Sequence, residues 1–332
     1  MKHVFFPAML ALLLSGCGGD GAKLDKVKLT VEVRRFEQDL FALNPDSLRQ
    51  QVPALHAAYG EFFVRYCEDV ISVGSPQDAE FFGYLASFLR DEVAQESYRE
   101  AQAAFPDDKA LNRRLTNAFK RYKLHFPEAP TPQVVTYVSG FNQPVVLLDS
   151  LVGVGLDKYL GAGHEVYAQL GFYKYLVRNM YPAKIPADVA LALAKGLFPY
   201  RAAQDELLGR MVWEGRALYF AKQLLPSEPD TAIFGFSKVQ LGLCAANEAY
   251  MWLTLVEGKL LFSVHPFTIA KFTDERPFTQ EFSREAPGRA ACWLGYRLVS
   301  RYMKRHPDVT LPQLMRNDAY RQIFEQSGYN PR

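Results

Sequence analysis

Histidine is scarce in this chain of 332 residues, and cysteine is scarcer. Neither sits where a helix-borne zinc site would need it. Such a site takes two His one turn apart, with a Glu beside the first. His56, His125, His164, His265 and His306 offer no such pair; His164-Glu165 begins the pattern, but Ala168 stands at the second ligand's place. No G-x-S-x-G elbow and no Gly-rich phosphate loop is present, which removes the familiar serine-hydrolase and nucleotide sites. Cys67, Cys244 and Cys292 are an odd set without a C-x-x-C spacing, so they make no disulfide framework. Buried thiols are the expectation, with one disulfide among them as the alternative. Charge of one sign is also lacking: 38 Lys and Arg face 36 Asp and Glu. That balance builds no field for nucleic acid, and this class of partner is set aside. The longest internal apolar run, Met251 to Phe262, is broken by Glu257, Gly258 and Lys259. It falls short of the roughly 20 residues a membrane span needs.

What is present begins at the N-terminus. Lys2 is followed by an apolar run from Val4 to Leu14, then Leu14-Ser15-Gly16-Cys17. A basic start, a short apolar core and small residues before a cleavage point make a secretory signal. A thiol directly after Ser-Gly makes it a lipoprotein signal, with Cys17 carrying a diacylglycerol. The expected organisation is a signal over 1–16, a lipidated Gly-rich tether over 17–26, and one domain over 27–332. The tether is short, so the domain sits close to the membrane surface.

The chain as a whole is 49% apolar and 14% aromatic, which leaves the domain material for a large core. Val27, Leu29, Val31 and Val33 alternate with polar residues, the pattern of a half-buried strand. Asn44-Pro45 reads as the cap and first turn of a helix carrying Leu48, Val52 and Leu55. Helical stretches follow over 59–71, 78–93 and 107–125, with aromatics at helical spacing that suit core packing. Val134 to Val138, a Gly140 to Pro144 turn and Val145 to Asp149 form a hairpin candidate, and Val152 to Leu156 adds a third strand. Helices are expected over 165–180, 187–198, 203–225, 238–262, 288–305 and 318–327. Ser237-x-x-Gln240 and Thr310-x-x-Gln313 are capping boxes. The fold class is α+β, mainly helical, with a small sheet packed on many helices.

Some polar residues lie within apolar helices: Glu214 after Met211-Val212-Trp213, Asn247 and Glu248 before Tyr250-Met251-Trp252, and Glu257. A carboxylate on such a face is costly unless paired, and Arg276, Arg289 and Arg297 are candidate partners. Internal ion pairs, a functional carboxylate cluster and simple exposure all remain open. Arg297, Arg301, Lys304 and Arg305 form one positive stripe, either solvated or facing an acidic partner or anionic headgroups.

Several segments, taken in order, carry a family resemblance. They are Arg35-Phe36-Glu37, Tyr59-Gly60-Glu61-Phe62-Phe63, Leu156-Asp157-Lys158-Tyr159-Leu160-Gly161, Glu214-Gly215-Arg216-Ala217-Leu218-Tyr219, Asn247-Glu248 with Trp252, Pro287-Gly288-Arg289 and Ser327-Gly328-Tyr329. The chain resembles the gliding-motility lipoprotein family, GldB type, of Bacteroidota. That family is similar in layout to zincin-like metallopeptidases, in which a hairpin precedes an HExxH helix and a later helix offers a Glu. Glu214-Gly215-Arg216-Ala217-Leu218-Tyr219 matches the later piece. The segment Val189 to Phe198, where the metal helix belongs, holds neither His nor Glu. The resemblance therefore implies a zincin-like pseudoenzyme without metal or other cofactor, Glu214 being a relic paired with Lys195 or a nearby Arg.

For function it implies a non-catalytic, lipid-anchored envelope protein: a scaffold or binding lipoprotein tied to gliding motility and its linked secretion apparatus. Its partners would be the membrane, through the lipid, and other envelope proteins, including gliding or type IX secretion components. Gly18 rather than Asp after Cys17 points to the outer membrane, on the periplasmic face. The alternatives are a divergent hydrolase and an aromatic-lined small-molecule or glycan binder.

Overall fold

The computed structural model describes residues 23–149 and 151–332. The signal segment, Leu14, Ser15, Gly16, Cys17 and most of the tether lie outside the described residues. A short strand β1 (Arg34–Arg35) leads into α1 (Phe36–Phe41), α2 (Leu48–Tyr59) and α3 (Glu61–Arg65), which runs on as a π-turn over Tyr66–Val70. Then come α4 (Phe81–Arg90), α5 (Glu92–Ala104) and α6 (Lys109–His125). The other strands are β2 (Gln133–Tyr137), β3 (Val145–Leu148) and β4 (Leu151–Gly155). The remainder is helical: α7 (Glu165–Gln169), α8 (Lys174–Val177), α9 (Ile185–Leu197), α10 (Leu207–Leu224), α11 (Asp230–Phe234), α12 (Lys238–Ala246), α13 (Glu248–Glu257), α14 (Pro266–Thr273), α15 (Ala290–Arg305), α16 (Leu311–Arg316) and α17 (Tyr320–Ser327). The expected class, mainly helical α+β with a small sheet, is what the chain adopts.

The sheet divides the core. Side chains of a strand alternate between faces. Val135, Tyr137 and Leu151 enter an aromatic-rich core built on α1 to α4. Val134, Val152 and Val154 enter the larger core built on α6, α9, α10 and α15. In the first core Phe36 is fully buried among Tyr59, Phe62, Phe63 and Tyr66, with ring centroids 4.8 to 6.3 Å away at steep angles. Edge-to-face pairs of this kind add about 0.5–1.5 kcal/mol each beyond area burial. Of the aromatics read as core from their spacing, Phe62, Phe63, Tyr66 and Phe81 are core, Phe82 and Phe88 pack against it half-buried, and Tyr84 is exposed on α4; Cys67, Cys244 and Cys292 are buried free thiols.

Four expectations are corrected. The alternation from Val27 to Val33 is real in burial, but no ladder forms there. The segment lies along α6, whose side chains take its amides: Val31 N–H donates to Thr116 Oγ1 at 2.9 Å and Val33 N–H to Asn112 Oδ1 at 3.0 Å. Only Arg34–Arg35 pairs with β2. The expected hairpin partners are also different. The sheet order is β1-β2-β4-β3, with β2 parallel to β4 and β3 antiparallel to β4. The hairpin is therefore β3 with β4, and Gly140 to Pro144 is a crossing loop. Finally, helix lengths were overestimated. The 165–180 stretch breaks into α7 and α8 at Gly171 (φ 74°), the 238–262 stretch breaks at Asn247, and α14 was not foreseen. Asn44 does not cap α2 but closes an Asx-turn onto Asp46 N–H at 2.9 Å, and the helix begins after Ser47. Both capping boxes form as expected, at Ser237 and Thr310.

The central element is α10, apolar nearly all round and buried accordingly. It crosses α15 where Gly215 meets Gly295. A Cβ on Gly295 would lie 1.8 Å from Met211 O, and one on Gly215 would lie 2.3 Å from Gly295 C. Only glycine lets the two backbones approach this closely.

Candidate binding cleft

Below the edge of the sheet, α9 turns one stripe of its surface outward. Asp188, Leu191, Ala192 and Lys195 share that stripe because three- and four-residue steps stay on one helix face. They floor a cleft of about 400 Å³. Pro144 and Val145 at the start of β3 form one wall, and Leu176, Met180, Ile233 and Phe234 form the other. Lys158, Tyr159, Lys184, Glu275 and Arg289 supply its polar rim.

The charges are held in order. Glu214, 8% exposed on α10, receives Lys195 Nζ at 2.6 Å and Arg289 Nη2 at 3.4 Å. Arg289 also holds Glu275 at 2.5 Å. Burial works against the Arg289 charge, but Cys292, Glu214 and Glu275 outweigh it and hold its pKa above the usual value. Burial pushes the neighbouring Cys292 thiol up to about 12, which leaves it an inert apolar group. Arg289 itself sits at φ 62°, just before α15, where the chain reverses after Gly288. At the other end Asp188 accepts from Lys184 Nζ at 2.5 Å and from Tyr159 OH at 2.9 Å.

Lys158 differs from the other cations. Its ammonium donates to Phe141 O at 3.2 Å and lies 4.2 Å from the Phe172 ring centroid. Burial lowers its pKa, and the nearby Asp157 charge opposes that. Asp157 is fully buried and ties down the crossing loop by accepting from Ser139 N–H at 2.9 Å and Phe141 N–H at 2.6 Å. Burial raises its pKa against these hydrogen bonds.

The candidate residues from the sequence fall in three places. Glu214 meets Arg289, which lines the cleft, but does not itself line it. Glu248 is elsewhere, bonded to Arg297 Nε at 3.0 Å and Tyr329 OH at 2.7 Å. Asn247 is exposed and bonds back to Leu243 O, and Glu257 is exposed at the end of α13. The five residues are thus not one cluster. Arg297, Arg301, Lys304 and Arg305 are all exposed. Lys158, Tyr159, Lys184, Asp188 and Glu275 were missed as site residues. A signal existed for two of them: Lys184 and Asp188 are four apart at the mouth of a helix that is otherwise apolar down to Lys195.

The segment Glu214-Gly215-Arg216 gives three neighbours three tasks. Glu214 turns to the cleft residues Lys195 and Arg289, Gly215 admits α15, and Arg216 reaches the C-terminal helices. There its guanidinium donates to the carbonyls of Leu314, Met315 and Asn317 and to Tyr320 OH.

Among the described residues no three His, Cys, Asp or Glu side chains are grouped to hold a metal ion. No helix among them is long and apolar enough to cross a membrane. Neither the curated proteins nor the solved structures contain a match to this chain, so the zincin-like layout has no structural relative to support it. The family model described as gliding motility protein GldB matches residues 20–331, and the chain belongs to that family.

Proposed function

We propose that the chain is a non-catalytic lipoprotein of the cell envelope that serves gliding motility as a scaffold or binding protein. Family membership supports the association with motility and the envelope. The observation that carries the non-catalytic reading is the state of Glu214. Both of its oxygens are engaged, one by the Lys195 ammonium and the other by the Arg289 guanidinium. A carboxylate clamped in this way is a poor general base and presents no open face to a reacting group. In a zincin-like scaffold, Leu191 and Lys195 would occupy the two positions one turn apart that face the Glu of the later helix. Here an ammonium neutralises that Glu, the arrangement of a pseudoenzyme. The cleft walls are mainly aliphatic and the aromatics are mostly spent in the core, which favours a protein partner over a glycan.

Anchorage through Cys17, on the periplasmic face of the outer membrane, completes the reading. The domain over 27–332 would then stand a short tether from the lipid. Cys17→Ala should accumulate as a folded, unanchored protein that fails to restore motility to a deletion strain. Complementation by the unanchored form would remove the case for anchorage. Elemental analysis tests the other half: stoichiometric zinc in the purified protein would overturn the non-catalytic reading in favour of a divergent hydrolase.

A further inference from the structure

Strand β3 is an outer strand of the sheet, at the edge opposite β1, and lies beside the cleft. Its pairing with β4 decides which of its backbone groups are used. Gly155 N–H donates to Pro144 O at 2.9 Å, and Val146 opposite Gly153 and Leu148 opposite Leu151 follow at two-residue steps. In an antiparallel ladder alternate residues turn their amide and carbonyl outward. Those of Val145 and Leu147 therefore point away from β4. No strand lies beyond them, and no group among the described residues pairs with them. Proteins ordinarily cover or charge such an edge. This one is half-buried and runs beside a cleft.

The cleft has length as well as depth. Lys184 and Lys195 are eleven positions apart, about 16 Å along a helix. That is room for roughly five residues of extended chain. Its charges are unequal. Lys184, Lys195 and Arg289 each hold a carboxylate, but among the described residues no carboxylate lies within ion-pair distance of Lys158. Lys158 follows β4, so it stands at the end where β3 begins.

We propose that β3 and the cleft receive an extended segment of another protein as an added antiparallel strand, with an acidic side chain set against Lys158. Backbone pairing to Val145 and Leu147 supplies affinity, and the charge supplies direction. β3 runs away from Lys158, so an antiparallel partner runs toward it. The acidic residue therefore lies downstream of the residues that pair. The proposal rests on the reading of the chain as a protein-binding lipoprotein and names the surface and the kind of partner.

The test is fluorescence anisotropy with the detergent-solubilised mature lipoprotein and a labelled Thr-Val-Thr-Val-Thr-Asp-Gly peptide amide. Saturable binding is expected. N-methylation of alternate peptide amides should weaken it at least tenfold, as should Val145→Pro. Proline at 145 removes only an outward N–H, which an edge strand tolerates. Replacing the peptide Asp by Asn should weaken binding to the native protein but not to Lys158→Met. The N-methylated peptide needs no change in the protein, so the outcome does not hinge on the folding of a variant. Absence of saturable binding, or binding indifferent to N-methylation, overturns the proposal. So does self-association through β3 that Val145→Pro abolishes, because the occupant would then be a second copy. A negative result here together with an inactive Cys17→Ala would leave the anchored-scaffold reading standing and remove only this surface.

Discussion

Arg216 offers the sharpest test of how the C-terminal helices are held. Its side chain is fully buried. Nη1 donates to Leu314 O and Met315 O, both at 3.2 Å, and to Asn317 O; Nη2 donates to Tyr320 OH at 3.1 Å. Asp318 stands 3.5 Å away and is partly exposed. Burial lowers the Arg216 pKa, with Tyr320 and Asp318 opposing. The carbonyls it serves lie at the end of α16, the negative end of its dipole; Leu314 O also accepts from Asn317 N–H at 3.2 Å, while Met315 O and Asn317 O have Arg216 as their donor. Arg216→Met keeps much of the apolar stem and removes the donors. Stranding Met315 O and Asn317 O at about 1–3 kcal/mol each and losing the bonds to Leu314 O and Tyr320 OH, offset by the desolvation of a charge that is no longer there, gives a net loss of about 3–5 kcal/mol. At this chain length that is a fall of roughly 6–10 °C in Tm, taking the low end of the shift per kcal/mol. Urea unfolding followed by circular dichroism should show a lower midpoint at unchanged slope. Limited trypsinolysis should cut first after Arg316 or Arg321. A loss under about 1 kcal/mol would refute the account, because stranded carbonyls cannot be that cheap. Arg216→Lys should recover little, since one ammonium cannot reach three carbonyls in the guanidinium's plane.

Two more expectations follow from single sites. Gly295→Ala should cost at least about 2–3 kcal/mol in urea unfolding, because its methyl has to displace the α10 backbone at Met211; a neutral substitution would mean that the two helices can separate freely. Lys158→Met should stabilise the protein at neutral pH and alter its alkaline profile. The folded-state pKa of Lys158 lies below the usual 10.5. Between that value and 10.5 the unfolded chain binds more protons, so the native protein gains stability as pH rises. The variant lacks this gain, and the difference between the two proteins should shrink as pH approaches 10.5. A pH-independent difference would place Lys158 in solvent.

Much of the architecture was legible because it follows local rules. The capping boxes at Ser237 and Thr310 form within four residues, and the helical class follows from periodicity. The errors arose where distant groups compete for the same backbone. Val31 and Val33 alternate like a strand, yet Thr116 and Asn112 took their amides. Val145 to Leu148 reads as the partner of the strand before it, yet β4 came between them. The site was legible only in part. Glu214 stood out as a costly acid in an apolar helix, and Lys195 and Arg289 were within reach as partners. Glu248 and Glu257 carried the same local signal, and only packing separated one clamped acid from one paired at the surface and one left in solvent.

By itself, then, the sequence determined the mainly helical class, the buried thiols and the family, because each depends on residue type and near-neighbour spacing. The tertiary structure decided the strand order, the free edge of β3, the glycine crossing of α10 and α15, and which cation meets which carboxylate. Those outcomes depend on how segments up to a hundred residues apart compete for the same partners, and a linear pattern does not encode the winner.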